Sequence, residues 1–118
     1  MRVGPILLAL VVALPACRPS ISGINARPEQ HYQNKLKVRG RIVRMQELPG
    51  AALLEVVDEQ GARLLVSTSA PVEATVGEWV KIVGVLVPET KVGDTPLYDV
   101  LQAEHVDRTS PPWFQDLF

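Results

Sequence analysis

Side chains able to do chemistry are few in this chain. Cys17 is the single cysteine, so no intramolecular disulfide can form. A thiolate is the strongest nucleophile among ordinary side chains, which makes Cys17 the candidate for covalent modification. Lys35, Lys37, Arg39 and Arg41 occupy alternate positions. On a strand that spacing lines four cations along one face at intervals of about 6–7 Å, a geometry suited to phosphates or other anionic groups. His31 and His105 have no cysteine or second histidine at metal-ligand spacing and read as structural. There is no glycine-rich phosphate loop, no Gly-x-Ser-x-Gly and no recognisable serine–histidine order. The sequence therefore argues against an enzyme and implies no cofactor and no metal.

Two readings of the basic row stand side by side. Outward positions of a barrel strand must be polar, and Glu55 or Glu104 on neighbouring strands could neutralise part of the row. Alternatively the row binds an anionic ligand: a lipid headgroup, an envelope polymer or, less favoured, single-stranded nucleic acid. Stacking of single strands uses aromatic platforms, and residues 52–67 contain none. The tail is the other candidate. Trp113, Phe114, Leu117 and Phe118 follow the stiff Pro111-Pro112 pair. They either fold back over the barrel, which the cost of an exposed apolar patch favours, or form a partner-binding motif ending in Phe118.

The elements that must carry these groups are short and β-rich. Ten prolines and eight glycines predict many turns, and 12 Lys+Arg against 13 Asp+Glu leave no strong net field. "KLKVRGRIVRM" alternates Leu36, Val38 and Ile42 with the cations, and Gly40 suits a sharply bent strand. "ALLEVVDEQGARLLVST" is a hairpin turning on Asp58-Glu59-Gln60-Gly61. "GEWVKIVGVLV" is a fourth strand with an interior Gly84, and Trp79 reads as a plug at the barrel end. "PETKVGDTPL" reads as a loop, and "YDVLQAEHV" is a fifth strand that alternates poorly. "SAPVEATV" is the only stretch open to a helix, and it is short and contains Pro71. Closure of five short strands into a barrel protects their edges.

Residues 1–17 resemble the precursor of a bacterial lipoprotein. Arg2 precedes an apolar run from Ile6 to Leu14, too short for a membrane span. Leu14-Pro15-Ala16-Cys17 then resembles a lipobox, although Pro15 is a less common occupant of its position. The resemblance implies removal of residues 1–16 as a signal peptide and acylation of Cys17. It also implies attachment to a membrane of the bacterial cell envelope. Arg18 stands where an inner-membrane retention Asp would sit, which favours the outer membrane facing the periplasm.

A second resemblance covers residues 24–107. "INARPEQHYQNKLKVRGRIV", the Asp-x-x-Gly hairpin and Val76-Gly77-Glu78-Trp79-Val80-Lys81-Ile82-Val83-Gly84 resemble small OB-fold domains of exported bacterial proteins of uncharacterised function. The expectation is an all-β, five-stranded, OB-like Greek-key barrel with at most one short helix. Residues 17–33 are expected as a lipidated tether and lead-in turn, 34–108 as the barrel and 109–118 as a Pro-rich aromatic tail. The expected role is a lipid-anchored envelope binding or scaffolding module without catalysis, its partners the membrane and an envelope protein. The alternative is the anion binder using Lys35, Lys37, Arg39 and Arg41.

Overall fold

The computed structural model describes residues 19–115. The lipobox-like segment with Cys17, and Phe118, lie outside the described residues, as does the side chain of Phe114.

Alternating buried and exposed positions produce five strands: β1 (Lys35–Leu48), β2 (Ala51–Val57), β3 (Arg63–Thr68), β4 (Trp79–Val92) and β5 (Thr95–Arg108). They close in the order β1-β2-β3-β5-β4, with β4 returning to β1. All neighbours are antiparallel except β3 and β5, which pair in parallel from Leu65↔Val100 to Thr68↔Ala103. This is the five-stranded OB barrel. Leu36, Val38 and Ile42 of β1, Leu54 and Val56 of β2, Val66 of β3, Val80, Ile82 and Leu86 of β4 and Leu101 of β5 fill its interior.

Strongly curved strands need places where backbones approach closely. A Cβ on Gly84 would lie 2.3 Å from the carbonyl oxygen of Gln102, and one on Gly40 would lie 3.0 Å from that of Val57. Two bulges complete the curvature. The β1–β2 register shifts between Ile42 and Arg44, and the β4–β5 register shifts so that Val83 faces His105 while Gly84 faces Ala103. Val43 and Glu104 are thus the extra residues. The second bulge explains why the β5 sequence alternates poorly: its phase reverses at Glu104.

Three expectations are corrected. Ser69–Val76 forms no helix; Pro71 interrupts it, and Ala74 enters the core directly. The segment is tied down by Gly77 N–H donating to the Ile42 carbonyl and Ile42 N–H to that of Glu78 (2.8 and 3.0 Å). Helix appears instead at α1 (Ile21–Ala26), inside the stretch read as a tether. Ile21 and Ile24 are fully buried, and Ile21 packs beside Gly40. Lastly, residues 88–97 are not a loop. β4 and β5 run on as a two-stranded ribbon to Val92↔Thr95, turning on Gly93-Asp94 with φ of 63° at Gly93. Glycine at the first of two turn residues suits a tight hairpin.

A 3-10 turn (Pro28–Gln30) leads from α1 to β1. Tyr32 anchors it by bridging to Leu86 and by donating its phenolic hydrogen to the Asp99 carboxylate. A final helical turn, α2 (Pro112–Gln115), starts on proline, which the first helical position tolerates because its N–H would be unpaired anyway.

Candidate functional site

The β1 cations project from the outer wall of the barrel, opposite in phase to the buried Leu36, Val38 and Gly40. The bulge at Val43 restores Arg44 to this outward face, where it stands opposite Glu55. The ends of the row are paired. Lys35 Nζ lies 3.2 Å from Glu104, and Arg44 Nε lies 3.9 Å from Glu55, which also holds Arg63 at 2.9 Å. Among the described residues no ion pair engages the middle, Lys37, Arg39 and Arg41.

Strand register adds a cation that the sequence did not single out. Lys81 on β4 stands directly across from Arg39, and Trp79 directly across from Arg41. Directly opposed side chains on adjacent antiparallel strands have Cβ atoms about 4.5–5.5 Å apart, and like charges there destabilise the sheet. The outward phase of Lys81 was readable in "WVKIVGV"; its placement opposite Arg39 was not. Trp79 is half-buried on the outer wall and does not plug the barrel. Ile21 and Ile24 of α1 do that work.

Part of this outer wall lines one groove of about 350 Å³, with Arg41 outside it. Lys37, Arg39, Trp79 and Lys81 form its wall, and Pro19, Ser20 and Pro112 border it. Thr109 N–H donates to the Trp79 carbonyl (2.9 Å), which brings the segment after β5 to this place. Trp113, one step beyond Pro112, is 58% exposed. Asp58, Glu59 and Gln60 of the β2–β3 turn close the remaining side. The Asp58 carboxylate is committed to the fold. It accepts Ser22 N–H and Oγ–H at 3.1 and 2.9 Å on one oxygen, and Gln60 and Ala62 N–H at 2.9 Å each on the other. Burial raises its pKa, but these hydrogen bonds outweigh burial and hold it below the usual carboxylate value.

A second, larger cleft of about 730 Å³ lies between the β1–β2 turn and the β4–β5 ribbon. Its polar lining is mainly Ser67, Ser69, Thr90 and Gln102, with Lys91 and Glu104 opposite in charge and no aromatic ring. His31 is half-buried and His105 exposed. No group of three His, Cys, Asp or Glu able to hold a metal occurs among the described residues.

Neither family models nor curated proteins match the sequence. Solved structures do match the fold. A chain assigned as an aspartyl-tRNA synthetase from Leishmania major Friedlin superposes with a TM-score of 0.61 at 9% identity, over 80% of this chain and 21% of that one. A Replication Protein A heterotrimer bound to ssDNA gives a TM-score of 0.50 at 13% identity, over 70% of this chain and 66% of that one. The S. pombe Stn1-Ten1 complex gives 0.49 at 16% identity, over 70% and 63%. This chain thus spans about a fifth of the first of these chains. At such identities the likeness defines the class of protein, an OB-fold β-barrel, and no more.

Proposed function

We propose that this protein is a non-catalytic binding module whose basic groove takes an anionic ligand, and that acylated Cys17 holds it in the bacterial cell envelope. The observation that carries the reading is the facing pair Arg39 and Lys81, flanked by Lys37 and Arg41, with none of the four in an ion pair among the described residues. A fold that sets two cations directly opposite each other bears a cost, offset in part by Asp107, which faces Lys81 from β5, and an anion seated between the two cations reverses its sign. Lys35, already paired with Glu104, contributes least. The envelope address rests on the sequence of residues 1–17, and scaffolding of an envelope protein is the companion role of an anchored barrel.

Inorganic polyphosphate is the simplest probe. Four contacts to a flexible polyanion give a log–log salt slope of about −3, and R39Q/K81Q should reduce that slope by about half. Single-stranded DNA, the ligand of the Replication Protein A structure, belongs in the same titration. DNA bound no better than polyphosphate supports charge recognition, whereas a strong preference for DNA overturns it in favour of base stacking. Attachment insensitive both to salt and to R39Q/K81Q also overturns the reading and points to apolar contact through Trp113.

A further inference from the structure

The basic groove lies beside the place where the chain leaves for its proposed anchor. Pro19 and Ser20 line it. Cys17 precedes Pro19 by two residues, a separation that an extended backbone spans in at most about 7 Å. No slack follows either. Ser20 caps α1 by accepting Gly23 N–H at 3.0 Å, and the next residue, Ile21, is fully buried. A lipid on Cys17 therefore cannot hold this barrel at a distance. It brings one wall of the barrel to the level of the headgroups.

We infer that the anionic surface met by Lys37, Arg39 and Lys81 is the bilayer in which the Cys17 lipid sits, so that the barrel docks with its β1–β4 wall against the headgroups. The inference rests on the proposed anion-binding groove and on acylation of Cys17. Charge is complementary: cations near an anionic leaflet each gain attraction within a Debye length. The aromatic residues agree. The chain has two tryptophans; Trp79 lines the groove, and Trp113 follows Pro112, which borders it. Tryptophan favours the headgroup level, where its ring is half in hydrocarbon and half in water. Two or more acyl chains on Cys17 would supply durable attachment by themselves; the groove supplies orientation. Asp58 and Glu59 are the two opposing charges in the lining, against the three cations Lys37, Arg39 and Lys81, and the oxygens of Asp58 are taken up by its four hydrogen bonds.

The test couples the chain, from Cys17 onward, to a maleimide lipid through its only thiol; every core residue among the described residues follows Cys17. W113F leaves Trp79 as the sole indole. In vesicles of phosphatidylcholine with phosphatidylglycerol, a nitroxide on the lipid headgroup should quench more than half of the Trp79 emission. R39Q/K81Q should abolish most of that quenching while circular dichroism stays unchanged. Uncoupled protein should lose affinity for the same vesicles about fivefold per cation removed. Trp79 left unquenched in the tethered protein overturns the docking. If polyphosphate still binds through Arg39 and Lys81 in that case, the anion-binding reading survives alone; if it does not, both fall. Mass spectrometry of the natural product finding a bare Cys17 sulfur also overturns the docking and leaves the groove reading standing.

Discussion

A methyl group on Gly84 would meet the Gln102 carbonyl oxygen at 2.3 Å and the Ala103 Cα at 2.9 Å. Both are backbone atoms of the paired strand, so neither can swing aside. Gly84→Ala should cost about 3 kcal/mol, the upper range for overpacking. Gly40→Ala, whose new Cβ meets the Val57 oxygen at 3.0 Å and the movable Ile21 Cδ1 at 3.3 Å, should cost about 1 kcal/mol; urea unfolding of the two variants checks the order. Asp58 offers a pH prediction. Its folded pKa lies below the unfolded value, so its contribution is complete above about pH 4 and disappears as pH falls through the lowered folded value. Wild type should exceed D58N by on the order of 1 kcal/mol near neutrality, and the gap should close below about pH 4 in denaturation curves. At this scale the sequence was legible where types alone matter: the β1 cations and the interior glycines. Lys81 was not, because its importance comes from what it faces.

Elements were legible in proportion to how cleanly one face is buried. β1, the β2–β3 hairpin and the first half of β4 alternate, since each packs one side on the core. Residues 88–97 contain no buried side chain, so their pairing leaves no apolar period to detect. α1 escapes for a different reason. Six residues make less than two turns, and Ile21 and Ile24, a single apolar pair three apart, carry no measurable period. Yet both are fully buried members of the core. Ile21→Ala and Ile24→Ala should each cost about 2–4 kcal/mol, as buried large-to-small changes do, measured by chemical denaturation. A tether would tolerate both without loss.

For the molecule as a whole, barrel closure was legible from the need to protect five short edges, while register and the position of the groove were not. The pairings are long in sequence: Lys35 meets Val85, and Leu65 meets Val100. Such topologies fold in milliseconds to seconds rather than microseconds, and stopped-flow tryptophan fluorescence after urea dilution should show a main phase in that range. The parallel seam carries a consequence for how the molecule is made. β5 is last in the chain among the five strands, yet it sits between β3 and β4. During synthesis the first four strands leave the ribosome with a gap that only β5 can fill. The nascent polypeptide accordingly keeps two unpaired edges, on β3 and β4, until β5 has emerged and joins them.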